Sequence, residues 1–190
     1  IKNRFQCIIK CKYFNVTTII NEFEQLIDNS STTEEMLESF LSTNYKAIFG
    51  REYDLIKTQV RLCVDKTIDT KDRRFDILLH NSITNDWEVF ELKKASEKII
   101  RFNRGIPQFR APVISAISQL RHYRDLLMLT ETKKLLKQKL NIVYSVPKFY
   151  LIVGNDMSDA SRKCMDQEKD IVIKTYKTLC LEAEKNYNYL

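Results

Sequence analysis

The stretch WEVFELKK, residues 87–94, places a carboxylate and an ammonium two positions apart inside an apolar run. Side chains alternate across a strand, so Glu91 and Lys93 are expected on one face, with Phe90 and Leu92 on the other. A carboxylate near a protein core costs several kcal/mol unless a cation or hydrogen bonds compensate it. The pattern therefore indicates charged groups held side by side near the core.

A second carboxylate belongs to the apolar stretch that precedes this one. Asp76 is the only charge between Phe75 and Leu79, and a hairpin-like return of the chain would bring it close to Glu91. Two such carboxylates repel each other, and a divalent cation removes the conflict. Mg²⁺ takes one or two carboxylates plus waters and substrate phosphate. Lys93 could then polarise an attacking water or stabilise charge on a phosphate.

An ordinary ion-pair cluster at a sheet edge is the alternative interpretation of these three residues. The spacing alone decides little, because Glu131-Thr-Lys133 repeats the E-x-K pattern in the same chain. That copy lies in a helical stretch, where positions i and i+2 do not face each other. Both interpretations of the strand copy stay open at this point.

Length and composition limit the classes of protein to which the chain can belong. With 190 residues and 44% apolar content, we expect one domain with a sizeable core. Its three glycines form neither a GxGxxG nor a GxxxxGK[ST] loop, which argues against a Rossmann dehydrogenase or a P-loop ATPase. The net charge of +6 favours a polyanionic partner. No apolar run approaches about 18 residues and no signal peptide is evident, so we expect a soluble, cytoplasmic protein without membrane contact.

Five scattered cysteines indicate reduced thiols, and no further Cys or His pair lies near Cys7 and Cys11 to complete a zinc site. The chain begins with Ile, which suggests a fragment or a processed product. Apolar residues at helical spacing in 19–27 predict a short amphipathic helix. We therefore interpret residues 1–30 as a lead-in helix and linker from an upstream region, and residues 31–190 as the main domain.

The elements of the main domain follow from capping and periodicity. Ser31-Thr-Thr-Glu34 matches a capping box and predicts a helix from about 32 to 44. Alternation in residues 60–64 and the segments RRFDILLH and WEVFELKK predict three strands. A long helix starts near Pro112, FYLIVG is a buried strand, IVIK is a last strand, and TYKTLCLEAEKNYN is a terminal helix. This order describes a mixed α/β sheet flanked by helices.

The segments FDILL, FELKK and AISQLRHY, in this order, resemble the PD-(D/E)XK nuclease superfamily, and more narrowly the Shedu family of prokaryotic anti-phage nucleases. The early helix EEMLESFLSTNYKAIFG, a buried strand ending in Gly, and the late TYKTL extend the resemblance over about Ser31 to Leu190. Phe75 replaces the usual proline, and Lys177 stands where family members often carry an acidic residue. The resemblance implies a restriction-endonuclease-like mixed central sheet flanked by helices.

The resemblance also implies roles for individual residues. Asp76, Glu91 and the backbone carbonyl of Leu92 would bind the catalytic Mg²⁺, for which Mn²⁺ can substitute, and Lys93 would be the catalytic lysine. Gln119 and Tyr123 match a Q-x-x-x-Y feature that faces the site. Their alternative role is that of a polar and an aromatic residue at the edge of a packed helix.

The early helix of the family carries a glutamate that can join the site. Glu34 and Glu38 share a helical face with Leu37, and either of them could approach the site from the core side, whereas Glu35 points elsewhere. Glu34 is also the predicted capping-box partner, and that structural role is the alternative for it.

The segment KASEKIIRFNRGIPQFRAP looks irregular and basic. Its expected DNA-binding residues are Lys94, Lys98, Arg101, Arg104 and Arg110. Their charges would neutralise backbone phosphates, and Phe102 or Phe109 could stack on an unpaired base. Solvated loops are often basic as well, which is the alternative interpretation.

Together these expectations describe a metal-dependent DNA nuclease, an endonuclease, which acts in anti-phage defence and forms a homo-oligomer. Two alternatives remain. A non-catalytic DNA-binding or assembly module would retain the fold, although the complete set of Asp, Glu and Lys argues against it. A transposition or restriction enzyme would carry a fused target-recognition domain outside this chain.

Overall fold

A computed structural model describes residues 16–62 and 73–188 of the chain. The helices are α1 (16–28), α2 (Glu34–Thr43), α3 (Tyr45–Ile48), α4 (Ala111–Met128), α5 (Thr130–Leu140), α6 (Asp159–Gln167) and α7 (Tyr176–Asn188). The strands are β1 (Tyr53–Leu62), β2 (Arg73–Asn81), β3 (Asp86–Leu92), β4 (Ile100–Asn103), β5 (Ile106–Phe109), β6 (Lys148–Ile152) and β7 (Val172–Lys174).

Five strands form one mixed sheet in the order β1-β2-β3-β6-β7. Strands β1, β2 and β3 pair with one another antiparallel, whereas β6 pairs parallel with β3 and β7 pairs parallel with β6. Strand β3 is therefore the central strand, and every residue from Trp87 to Leu92 is buried. The predicted mixed α/β sheet flanked by helices is confirmed, and the charged residues of β3 do not lie at a sheet edge.

Two hydrophobic cores cover the two faces of the sheet. Helix α4 packs on one face, with a core that includes Phe75, Leu78, Val89, Leu120 and Leu151. Helices α1, α2 and α7 cover the other face, with a core that includes Phe23, Leu37, Leu79, Phe90 and Tyr176. Phe90 and Val89 thus point to opposite faces, as the alternation in β3 predicted.

The apolar face of α1 lies within the second core, because Ile20, Phe23 and Ile27 are buried there. The predicted amphipathic helix is confirmed, while the position of a domain boundary near residue 30 stays a prediction.

The predicted capping box of α2 is wrong. The helix begins at Glu34, and Thr33 is its N-cap, whose side chain accepts a hydrogen bond from the backbone N–H of Met36. The hydroxyl of Ser31 instead donates to the side chain of Asn29. Thr33 has the extended backbone of an N-cap, with φ −91° and ψ 166°, so the helix starts two residues later than the capping box requires.

The basic segment after β3 contains regular structure, which contradicts its predicted irregularity. Strands β4 and β5 form a hairpin with the two-residue turn Arg104-Gly105, whose φ values are 50° and 78°. Positive φ at both positions is the signature of a type I′ turn. Helix α6 was also missed: it occupies part of the predicted polar loop, and Ser158 is its N-cap.

Three further expectations concern thiols, a strand and membranes. Cys164 and Cys180 are buried free thiols, while Cys7, Cys11 and Cys63 lie outside the described residues. Strand β1 includes the predicted alternation up to Leu62, and Val64 lies outside the described residues as well. In the described parts of the chain, no helix is both long and apolar enough to cross a membrane.

Candidate active site

The candidate site lies where β2 and β3 separate. Their pairing ends at Ile77 opposite Phe90, and Asp76 and Glu91 are the next residues beyond this last pair. The Oδ2 atom of Asp76 accepts a hydrogen bond of 2.9 Å from the backbone N–H of Leu92. The side chain of Asp76 thus satisfies a buried donor that the ladder no longer pairs, which holds its carboxylate beside the end of β3.

Glu91 is the most buried charged group of the site, with 3% of its surface exposed. Its Oε1 atom accepts hydrogen bonds from the Lys93 Nζ atom at 2.8 Å and from the Gln119 Nε2 atom at 3.0 Å. The Lys93 Nζ atom also donates to the backbone carbonyl of Leu92 at 3.0 Å. The ammonium thus bridges two of the oxygen atoms that were expected to bind a metal ion.

The two carboxylates disturb each other's ionisation. Burial and the neighbouring Asp76 raise the pKa of Glu91 to about 7. Burial likewise raises the pKa of Asp76, although the hydrogen bond from Leu92 opposes this effect. Burial lowers the pKa of the Lys93 ammonium, but the Glu91 carboxylate outweighs that effect and leaves the pKa raised. The site therefore holds more negative charge than Lys93 alone neutralises.

Helix α4 brings Gln119 and Tyr123 to the site, one helical turn apart. The Gln119 Nε2 atom donates to the Tyr123 hydroxyl at 2.6 Å as well as to Glu91. The Tyr123 hydroxyl in turn donates to the backbone carbonyl of Arg74 at 2.9 Å. Burial raises the pKa of Tyr123, so the phenol stays a donor. This chain of hydrogen bonds links β3 to β2 through α4.

Both backbone polar groups of Lys93 form hydrogen bonds. Its N–H donates to the Ile152 carbonyl at 2.9 Å, and its carbonyl accepts a hydrogen bond of 2.6 Å from the Tyr176 hydroxyl. Gly154, which follows β6, makes the close packing here possible. It has a φ of 62°, and a Cβ atom at this position would lie 2.4 Å from the carbonyl oxygen of Glu97. The glycine therefore lets the segment after β6 contact the segment after Lys93.

Among the glutamates of the first helix, Glu34 is the one that lines the site. Its Oε2 atom lies 4.0 Å from the Lys93 Nζ atom. Glu38 instead accepts a hydrogen bond from Gln59, and burial raises its pKa. Glu35 is exposed. Because Thr33 caps the helix, Glu34 does not serve as the capping-box partner.

These side chains surround one cavity of about 510 Å³. The lining residues are Glu34, Arg61, Arg74, Asp76, Glu91, Lys93, Gln119 and Tyr123. Arg61 and Arg74 were missed by the sequence analysis. Arg74 stands two residues before Asp76, so the period of a strand could have placed both on one face. Arg61 carries no comparable local signal.

The expected DNA-binding residues lie outside this cavity, and all of them are exposed. Lys94 and Lys98 follow β3, Arg101 and Arg104 belong to the hairpin, and Arg110 immediately precedes α4. The Phe102 side chain is 65% exposed, whereas Phe109 packs partly against the core. Of the two aromatic rings, Phe102 is therefore the one available for stacking.

The donor atoms of the cavity fit a hard divalent cation. Within residues 16–62 and 73–188, no three His, Cys, Asp or Glu side chains form a group that could hold a metal ion. Mg²⁺ needs fewer protein ligands, since one or two carboxylates with waters suffice. Asp76, Glu91 and the Leu92 carbonyl provide such oxygen atoms, and a divalent cation would relieve the repulsion that raises the pKa of Glu91.

Comparison with protein-family models found no match to this chain, and comparison with curated proteins found none either. The assignment of a function therefore depends on the chemistry of the site.

Proposed function

We propose that the chain is a metal-dependent DNA endonuclease with a restriction-endonuclease-like fold, of the Shedu type within the PD-(D/E)XK superfamily. The observation that supports this proposal is the convergence of Asp76, Glu91 and Lys93 on one cavity at the end of the central strand. Buried carboxylates that share a polar cavity with a lysine are costly for stability, and an active site is a reason to keep them.

Asp76, Glu91 and the Leu92 carbonyl would hold Mg²⁺, for which Mn²⁺ could substitute. When bound, it supplies Lewis-acid activation of a phosphate oxygen and lowers the pKa of a water. Binding would require Glu91 and the Leu92 carbonyl to release the Lys93 ammonium, which they both contact. That release would free Lys93 to act on the substrate.

Each residue of the site has a separate task in phosphodiester hydrolysis. Lys93 orients the attacking water or stabilises the negative charge that builds on the phosphate. Gln119 holds Glu91 through the hydrogen bond to Oε1. The water oxygen forms a bond to phosphorus as the bond between phosphorus and the 3′ oxygen breaks. The water gives up a proton to solvent, and the leaving 3′ oxygen takes up a proton from solvent. The product then carries a 5′-phosphate. Glu34 is a candidate for a further acidic contact at the cavity.

The exposed basic residues would contact the DNA backbone outside the cavity. Lys94, Lys98 and Arg110 lie close to the site in sequence, while Arg101 and Arg104 sit on a hairpin whose base packs on the core. We also propose that the chain forms a homo-oligomer in the cytoplasm and acts in anti-phage defence.

The test is incubation of supercoiled and linear DNA with Mg²⁺ or Mn²⁺. We expect cleavage by the wild-type chain, and loss of cleavage with EDTA or with Lys93→Ala. Lys133→Ala is a matched control, because Lys133 ends the second E-x-K copy and lies in α5, away from the cavity. This variant should cut like the wild type. DNA that is bound but not cut with either metal would instead favour the non-catalytic binding module.

A further inference from the structure

Arg61 and Arg74 stand directly opposite each other on β1 and β2, and both line the cavity. Like charges at directly opposite positions destabilise a sheet. An anion between them would remove this cost, and guanidinium groups bind phosphate through two parallel hydrogen bonds. The pair is therefore suited to a phosphate rather than to a neutral ligand.

The hydrogen-bond network of the site includes the backbone of Arg74. The carbonyl of Arg74 accepts from Tyr123, which accepts from Gln119, which donates to Glu91. Arg74 also stands two residues before Asp76 on β2, so the two side chains project from the same face of the strand. The backbone that carries Arg74 is thus tied to both expected metal ligands.

Opposite charges are divided between two parts of the cavity. The expected metal ligands lie at the end of β3 and beside it on β2, while the arginines lie at the paired ends of β1 and β2. A volume of about 510 Å³ leaves room for one nucleotide unit with the phosphates on both sides of it.

We propose that Arg61 and Arg74 bind a second DNA phosphate, the neighbour of the phosphate that is cleaved. This inference rests on the proposed function, because it presumes that DNA enters the cavity. The arginine pair sets the register of the strand, so that the scissile phosphate reaches Asp76, Glu91 and Lys93. The pair binds and positions the DNA and takes no part in the bond-breaking step.

The first experiment measures DNA affinity in EDTA over a series of salt concentrations. We expect Arg61→Gln and Arg74→Gln each to weaken binding about tenfold, and the double variant to lower the slope of log K against log salt by about 0.9, the value for one phosphate. Arg124→Gln is the control, since Arg124 lies on α4, is ion-paired with Asp170, and does not line the cavity. It should bind DNA like the wild type.

The second experiment replaces single phosphates of the DNA by uncharged methylphosphonates. At one position next to the cleaved phosphate, the replacement should weaken DNA binding by the wild type about tenfold. DNA binding by the double variant Arg61→Gln/Arg74→Gln should not change, because the energetic effects of altering two groups in direct contact do not add. Thermal unfolding should show no loss of stability for Arg61→Gln, since removing one of two opposed like charges relieves repulsion. Arg74→Gln should be slightly less stable than Arg61→Gln, because the Arg74 charge also lies within electrostatic reach of Asp76 and Glu38.

The outcomes separate the two proposals. Binding without cleavage, with a methylphosphonate effect at one position that is lost in the arginine variant, would reject the nuclease and the register role, and would retain phosphate binding by Arg61 and Arg74. Cleavage with equal effects of methylphosphonate on wild type and variant would retain the nuclease and reject the phosphate site. Absence of any DNA binding by the wild type would reject both.

Discussion

The Tyr176 hydroxyl donates a 2.6 Å hydrogen bond to the backbone carbonyl of Lys93, across 83 positions of sequence. Tyr176 is fully buried at the start of α7, and its ring makes an edge contact with Phe23 of α1. Burial raises the pKa of Tyr176 well above its usual range, so the hydroxyl remains a donor. The late TYKTL segment thus supports the lysine of the site through its tyrosine, whereas Lys177 is exposed and pairs with Asp28.

Replacing Tyr176 by Phe should reduce the rate of DNA cleavage as well as stability. The carbonyl of Lys93 would lose its partner, which costs about 1–3 kcal/mol, and the lysine would lose its fixed position. We expect kcat for DNA cleavage to fall about tenfold with KM nearly unchanged. Tyr187→Phe is the matched control, because this tyrosine of α7 also donates to a backbone carbonyl, that of Lys46, but far from the site in the fold. Equal kcat values for the two variants would contradict the role of Tyr176.

Replacing Lys93 by Met should raise the affinity of the chain for Mn²⁺. The ammonium occupies Glu91 and the Leu92 carbonyl, so a divalent cation must displace it. We expect about tenfold tighter binding, equivalent to about 1.4 kcal/mol, together with loss of DNA cleavage. Calorimetric titration without DNA measures the affinity. Lys94→Met should leave it unchanged, and a weaker Mn²⁺ affinity of Lys93→Met would show that the lysine does not compete with the metal.

The stability of the metal-free chain should fall as the pH rises. The folded state raises the pKa of Glu91 from 4.5 to about 7, so between these values it binds more protons than the unfolded state. This difference between the folded and unfolded pKa values of Glu91 adds at most about 3 kcal/mol to the free energy of unfolding. The contribution is fully present below pH 4.5 and is lost as the pH rises past 7.

Urea unfolding in EDTA, at a series of pH values between about 5 and 8, measures this dependence. Glu91→Gln removes the titrating group, so the decline should be much shallower in this variant. Mg²⁺ should restore wild-type stability above neutral pH, because it binds the carboxylate form. A decline of the same steepness in wild type and variant would mean that Glu91 does not hold a shifted pKa.

Replacing Arg104 by Asn should separate DNA binding from hairpin stability. Arg104 has a φ of 50°, which side chains other than Asn and Gly adopt with strain, and Asn-Gly is the preferred type I′ turn. The variant should therefore be at least as stable as the wild type to heat. Its DNA affinity should fall several-fold, with a lower salt slope, if Arg104 contacts a phosphate. Lys134→Asn on α5 controls for the lost charge, and equal affinities of the two variants would argue against a hairpin contact.

The local pattern of the sequence determined the elements and the orientation of their side chains. Alternation placed Glu91 and Lys93 on one face of the strand, and the four-residue spacing of Gln119 and Tyr123 placed them one turn apart on the helix. The direction of the side chains repeats every two residues in a strand and every 3.6 residues in a helix. A short stretch of sequence is therefore enough to predict which side chains share a face. The positive φ values of the Arg104-Gly105 turn were missed, because Arg-Gly is an uncommon type I′ pair.

Which residues meet across the sheet was decided only by the tertiary structure. Glu34 rather than Glu38 faces Lys93, while Glu38, one helical turn later, accepts a hydrogen bond from Gln59 of β1. Arg61 and Arg74 share the cavity through the register of β1 and β2, and Tyr176 reaches Lys93 because α7 packs against the second core. Such contacts join residues that are far apart in the chain. Which residues make contact depends on how whole helices pack on the sheet, and no local pattern of the sequence specifies that packing.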